Sequence, residues 1–385
     1  MITRVFLFVV DGLGVGATDD AVDYGDADAH TLAHLAEASG GLNLPTLESL
    51  GLGHICRVQG VRAVVQPVGC FGRLSFKSKQ VDSVAGYREI AGCPPISDEP
   101  VFPKRYPSEV IAALAQVCGK AVLGGEVSSA DEALSEWGAD HRTSGAPIVW
   151  SDSRQTCYLA AHEASMRPDV LYRHAKEARK ILHDRWKIGR VVAQPLEGNG
   201  DAFRCGAGRR DFAGESPGQT MLDHLNRSGQ ILLGIGKVGD LFGGRGLTRS
   251  VTASTWTAAL DEAKRTFTKI PRGLIFVGLD LVRCEVGEAA AALQDFDRRL
   301  EEMLCHLRPG DLCILTGDHG RDPKKIHGLP TREYVPLLIT GPKLAQGVNL
   351  GIRASAADVG QTVVEALRAS SLPVGESLLD ALRAS

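Results

Sequence analysis

The chain has no basic excess: 43 Lys and Arg face 46 Asp and Glu, for a net charge of −3. Nucleic acid and anionic membranes are therefore poor partners for it. No apolar run approaches the length of a membrane span. The opening stretch, Met1-Ile2-Thr3-Arg4-Val5-Phe6-Leu7-Phe8-Val9-Val10-Asp11, lacks the longer apolar centre and cleavage site of a signal peptide. The nine cysteines are odd in number, scattered and without a CxxC pair, which points to reduced thiols in the cytoplasm rather than a disulfide framework. The glycines after the first apolar run, Asp11-Gly12-Leu13-Gly14-Val15-Gly16, fit neither the dinucleotide nor the P-loop fingerprint.

What remains is an ordinary globular composition in 385 residues, enough for a sizeable core and two domains. Residues 5–10 form a continuous β-branched and aromatic run, the mark of a strand covered on both faces, and Asp11 closes it. The run 312–316 ends likewise in Gly317-Asp318-His319-Gly320, and the run 273–279 ends in Asp280. A helix is expected over 31–38. Another, over 289–307, carries Leu293, Phe296, Leu300, Met303, Leu304 and Leu307 as its apolar stripe before Arg308-Pro309-Gly310 stops it. Strand and helix alternate through both outer parts, which implies a largely parallel sheet covered by helices.

Between Pro94 and about Pro217 the character changes. Pro-rich joints open the segment, Ser216-Pro217-Gly218 closes it, and inside lie strand candidates at 120–127, 147–150 and 190–195 with a helix at 168–186. An inserted second domain over 95–216 is expected, leaving 1–94 and 217–385 as the core.

Single aspartates at strand ends are more often turn or cap residues than ligands. Asp11, Asp280 and Asp318 with His319 at one edge of one sheet suit something sharper: hard and borderline ligands for a metal, where open α/β sheets bind their ligands. Ser83 follows Asp82 and opens a helical pattern. On sequence alone it reads first as an N-cap, and second as a nucleophile whose hydroxyl faces free amide groups at a helix start. The chemistry this set suits is metal-assisted phosphoryl transfer.

The motifs, taken in order, carry a resemblance. They are Val10-Asp11-Gly12-Leu13-Gly14, Leu42-Asn43-Leu44-Pro45, Asp82-Ser83 with Glu89-Ile90-Ala91-Gly92, Thr143-Ser144-Gly145-Ala146-Pro147-Ile148-Val149 and Ala160-Ala161-His162-Glu163. Ile235-Gly236-Lys237, Phe296-Asp297-Arg298-Arg299-Leu300, Asp318-His319-Gly320 and Thr331-Arg332-Glu333-Tyr334-Val335-Pro336 follow. The sequence resembles the bacterial phosphopentomutases of the alkaline phosphatase superfamily over nearly its whole length. That resemblance implies an alkaline-phosphatase-like α/β core with an inserted α+β cap. It also implies interconversion of ribose 1-phosphate and ribose 5-phosphate through a phosphorylated residue, here Ser83 where the family has threonine. One metal, Mn²⁺ or else Mg²⁺ or Zn²⁺, would be held by Asp11, Ser83, Asp318 and His319.

The departures from the family are as informative. The second metal's aspartate and two histidines fall on Asp280, Glu285 and Pro330, and proline offers no side-chain ligand. His327 is a displaced substitute only if its loop bends differently. Substrate contacts are implied at Arg190 and Lys237, which match the family, and at Asp152 and Arg154, where a serine and an aspartate are expected. Cys205 stands where an arginine is expected, with Arg204 beside it. Three readings follow. They are a mutase acting on a small pentose phosphate, a diverged single-metal phosphotransferase, phosphatase or isomerase acting on a modified sugar phosphate, and a silent phosphosugar-binding protein.

Overall fold

Chain segments buried on both sides make the central strands. In a computed structural model, which describes residues 1–94, 102, 104–151, 156–198, 203–281, 286–325 and 329–383, every residue of the first strand is buried. In chain order the strands are β1 (Arg4–Val10), β2 (Cys70–Leu74), β3 (Leu123–Val127), β4 (Ile148–Ser151), β5 (Thr156–His162), β6 (Arg190–Glu197) and β7 (Arg204–Cys205). Then come β8 (Arg210–Ala213), β9 (Leu232–Ile235), β10 (Arg249–Val251), β11 (Gly273–Leu279), β12 (Asp311–Gly317), β13 (Val335–Thr340) and β14 (Asn349–Arg353). The chain divides into two units, one of Met1–Ile96, Ser216–Gly239 and Gly244–Ser385, the other of Ser97–Glu215 with Asp240–Gly243.

The larger unit holds an eight-stranded sheet in the order β10-β9-β11-β1-β12-β13-β2-β14. From β10 to β12 all neighbours are parallel, and β13 reverses direction. Parallel neighbours need crossovers, and here helices supply them. Phe6, Phe8 and Val10 of β1 face one way and join Ile275, Val277, Leu279, Cys313 and Leu315 in a cluster. Helices Thr31–Ser39, Trp256–Lys269 and Val286–Leu304 close that face with Leu32, Leu35, Leu260, Phe267, Leu293, Phe296 and Leu300. The last of these helices stops at Leu304, one turn before the expected 307, because the chain tightens toward Arg308-Pro309-Gly310. Val5, Leu7 and Val9 point to the opposite face and are equally buried, so the sheet is covered on both sides.

Register between the central strands is pinned at their beginnings. Arg4 and Asp311 are the paired first residues of β1 and β12, and the Arg4 guanidinium donates to Asp311 Oδ1 at 2.9 Å and Oδ2 at 2.6 Å. Nη1 donates to the carbonyls of Phe267 and Ile270, so the fully buried charge is paired and hydrogen-bonded.

The smaller unit has its own sheet, β3-β4-β5-β6-β7 with β8 paired to β6. Alternation along its strands serves two faces. Val149, Cys157, Leu159 and Val191 meet helices Ser108–Cys118 and Pro168–Trp186, while Ile148, Trp150 and Ala160 meet helix Ala130–Ser144. β3, β4, β6 and helix Pro168–Trp186 lie where the sequence suggests strands and a helix, whereas β5, β7, β8 and helices Ser108–Cys118 and Ala130–Ser144 are not among its expectations.

Candidate active site

Three strands of the larger sheet end level with one another. Val10 pairs with Leu279 on one side and with Gly317 on the other, so the next residues, Asp11, Asp280 and Asp318, stand at one carboxyl edge. The Asp11 N–H donates to Leu279 O at 2.8 Å, extending the ladder to the aspartate itself. Gly12 then turns at φ 74°, and its N–H donates to Asp318 Oδ1 at 3.0 Å. That turn is the reason for glycine here: the left-handed backbone folds the loop back so that it binds the neighbouring aspartate.

Ser83 is the first residue of helix Ser83–Ile90, and it is not the cap that its sequence context suggests. The cap is Asp82, whose side chain accepts from the Ala85 N–H at 2.9 Å. The carboxylate satisfies the helix start and leaves the serine hydroxyl to the site. Ser83 Oγ accepts a hydrogen bond from Lys237 Nζ at 2.8 Å and lies 3.3 Å from His319 Nε2. Gly86, one turn on, lets the helix lie against the end of β12: a Cβ there would be 2.3 Å from Asp318 O.

His319 Nδ1 donates to Gly320 O at 2.8 Å, which fixes the tautomer with a bare Nε2 aimed at Ser83. Burial pushes the imidazole below its ordinary value, against the pull of Asp318, so the neutral, ligating form is favoured. Burial alone would raise the Asp318 carboxyl. Its electrostatic coupling to His319, the Lys237 ammonium and the hydrogen bond from the Gly12 N–H instead hold it below the usual carboxylate range. Asp318 Oδ2 is buried and receives no hydrogen bond of normal geometry; its neighbours are His319 Nε2 at 3.4 Å and Lys237 Nζ at 3.7 Å. An ionised buried oxygen of this kind has the chemistry of a cation ligand.

The donors Asp11, Ser83, Asp318 and His319 thus suit one divalent ion by type. Among the described residues, no three His, Cys, Asp or Glu side chains are yet drawn in to metal-binding distances. Lys237 adds a positive charge beside this set, ion-paired with Asp11 Oδ2. A second ion is served less well. Asp280 stands at the end of β11, Pro330 is buried but has no ligand atom, and Glu285 and His327 lie outside the described residues.

Of the substrate-contact candidates, Asp152 and Arg154 also lie outside the described residues. Arg190 opens β6 in the smaller unit, buried, with Nε and Nη2 donating to Thr156 Oγ1 at 3.1 and 2.9 Å and Nη1 to Asp211 at 3.2 Å. Arg204, on β7, is largely exposed and 3.7 Å from Glu197. Lys237 reaches Ser83, with its Nζ 2.8 Å from Oγ.

Two residues of the site are absent from the sequence-based set. Tyr87 follows Ser83 by one helical turn, so the two share a face, and its hydroxyl donates to Asp11 Oδ1 at 3.0 Å. That four-residue spacing was the available signal. Glu333 accepts from Gly16 N, Thr31 N, Thr31 Oγ1 and Thr331 Oγ1 at 3.1, 2.9, 2.6 and 2.7 Å. It therefore ties the loop after β1 to the segment after β12, and nothing local in the sequence announces such a role.

Comparison with known proteins bears on the same residues. The protein named phosphopentomutase from Syntrophotalea carbinolica is 39% identical over 371 residues, which is 94% of each chain. Its namesake from Caldanaerobacter subterraneus is 38% identical over 95% of this chain and 94% of its own. A family model described as Metalloenzyme superfamily matches residues 283–371. Among solved structures, the PH0037 protein from Pyrococcus horikoshii matches over 96% of this chain and 98% of its own, at 16% identity and a TM-score of 0.49, too distant to carry an argument.

Proposed function

The chain belongs to the phosphopentomutase family, and from that premise we propose that it interconverts ribose 1-phosphate and ribose 5-phosphate with Ser83 as the phosphate carrier. The observation that carries this reading is the cap at Asp82, which leaves the Ser83 hydroxyl free between Lys237 and His319 at the edge where Asp11 and Asp318 converge. Phosphorylated Ser83 passes its phosphate to the free hydroxyl of a ribose monophosphate, and that hydroxyl's proton returns to Ser83 Oγ. The enzyme then takes back the phosphate from the other end of the bisphosphate, and the serine proton ends on the sugar oxygen released.

Asp11, Ser83, Asp318 and His319 would hold a divalent cation, Mn²⁺ by family analogy, which supplies charge neutralisation at the phosphoryl oxygens. Gly12 N and Tyr87 Oη hold the two aspartates in place for it. Arg190, Arg204, Asp152 and Arg154 are the proposed substrate contacts of the smaller unit.

The test is transfer of label from a radiolabelled ribose bisphosphate to protein in the presence of Mn²⁺, compared between the native chain and Ser83→Ala. Label and mutase activity should both vanish in the variant; full activity there removes Ser83 from the mechanism.

A second reading rests on one observation, the absence of any ligand atom on Pro330. It makes the protein a single-metal enzyme acting on a modified sugar phosphate. A panel of sugar phosphates separates the two, since preference for unmodified ribose phosphates excludes the second.

A further inference from the structure

Lys237 matches a substrate contact by family analogy, but its surroundings are those of a group working on the nucleophile. Its ammonium donates to Ser83 Oγ at 2.8 Å, pairs with Asp11 Oδ2 and stands 3.7 Å from Asp318 Oδ2. We propose that Lys237 is a catalytic residue that supplies the second positive charge at the Ser83 oxygen, so that this chain transfers phosphate with one divalent ion and one lysine.

The placement is built rather than incidental. Lys237 follows β9 through Gly236, whose φ of 74° and close approach to Gly278 O, 2.4 Å from a notional Cβ, turn the chain sharply toward the site. The lysine stem then crosses β11 above Gly278. A Cβ there would lie 2.6 Å from Tyr87 Oη and 3.3 Å from Lys237 Cγ, so only glycine leaves room for both. The ammonium lies 5.2 Å from the centre of the Tyr87 ring, whose hydroxyl donates to Asp11 and which stacks on Phe276. Its side chain is only 12% exposed, and Asp11 and Asp318 are its counter-charges.

The chemical need for such a charge follows from Pro330. The position that the family resemblance gives to one of a second ion's histidines holds Pro330, which has no side-chain ligand, yet serine oxygen must still attack phosphorus and later leave from it. An ammonium hydrogen-bonded to Oγ favours the alkoxide in both directions, as a cation would. In each direction the Oγ–P bond exchanges with a P–O bond to the sugar and the proton exchanges between the same two oxygens, so Lys237 remains an ammonium throughout. Its positive charge is preorganised beside the atom where negative charge develops.

The inference rests on Ser83 being the phosphate carrier, and the experiment keeps the two apart. Bound metal per chain is measured by elemental analysis on the Mn²⁺-loaded protein. Serine phosphorylation from radiolabelled ribose bisphosphate is followed in single turnover for the native chain, Ser83→Ala, Lys237→Met and Lys237→Ala, the last with and without added methylamine. The expected results are about one ion per chain in all the lysine variants and in the native protein, and phosphorylation slowed about 100-fold or more by either lysine change. Saturation by the bisphosphate should be little altered, and methylamine should restore part of the rate in Lys237→Ala. Two ions in the native protein would overturn the proposal, as would a Lys237→Met protein that phosphorylates Ser83 normally and is impaired only in KM. If Ser83→Ala is still labelled and active, the carrier assignment has failed instead. Melting temperatures guard against misfolding, and Lys237→Arg, which keeps the charge, should retain more activity than Lys237→Met.

Discussion

A Cβ on Gly86 would lie 2.3 Å from the carbonyl oxygen of Asp318. The helix that presents Ser83 therefore touches, backbone to backbone, the strand end that presents Asp318 and His319. Gly86→Ala gains roughly 1 kcal/mol of helix propensity but forces the helix away from β12, an overpacking cost of about 1–3 kcal/mol. Stability should change little, while phosphorylation of Ser83 should fall about 100-fold, because a shift of ~1 Å at the reacting atom is enough for that. A thermal melt beside single-turnover labelling checks both; a variant with native labelling rates would show that this contact does not set the geometry.

Glu333 offers a pH-dependent counterpart. Burial pushes its carboxyl above the ordinary glutamate value in spite of the hydrogen bonds it accepts. The folded state therefore holds that proton more tightly than the unfolded chain does. The linked stability is fully present below the ordinary glutamate pKa and is lost as pH rises through the raised one. Urea unfolding from mildly acid pH upward should show this decline in the native chain and a flatter curve in Glu333→Gln. Glu333→Ala, which leaves the donors of Gly16, Thr31 and Thr331 without their acceptor, should lose about 3 kcal/mol.

Arg4 and Asp311 make a pair at the other edge of the sheet, with no access to the chemistry. Removing only one partner leaves a buried, uncompensated charge, so Arg4→Met or Asp311→Leu should cost about 3–5 kcal/mol each. The double replacement should cost much less than their sum. Denaturant midpoints of the three variants measure the coupling, and additive losses would mean that the pair does not act as a unit.

Loading with Mn²⁺ should raise the melting temperature in a concentration-dependent way, since an ion that binds only the folded state stabilises it by mass action. Asp318→Asn, which keeps the shape but removes the charge on Oδ2, should abolish that rise, and chelation of the native protein should reverse it. A melting temperature that ignores Mn²⁺ would count against the proposed ligand set.

Much of this was legible in the sequence for a simple reason. Parallel strands buried on both faces are continuous apolar runs, so β1, β11 and β12 announce themselves, and the aspartates that close them are visible at once. The helix Pro168–Trp186 was equally plain, because its apolar spacing is periodic. What stayed hidden depended on partners distant in the chain. Asp82 and Ser83 are both good caps, and only the fold decides that the carboxylate turns back to Ala85 while the hydroxyl turns outward to Lys237. Lys237 is expected as a substrate contact by family resemblance, and nothing local reveals that Gly278, about forty residues on, clears a path for its stem toward Ser83. Glu333 read as scaffold because its hydrogen-bond donors are contributed by residues 16, 31 and 331.

The register of β1 against β12 carries one more consequence, for the order in which the protein is made. Asp11 leaves the ribosome early, but the strand that sets Asp318 and His319 beside it comes some three hundred residues later. On the proposed ligand set, the nascent chain would have no four-ligand pocket until β12 has been synthesised and has paired with β1. Metal capture would then report completion of the long-range pairing that closes the sheet, and chains truncated before residue 311 should bind no ion there.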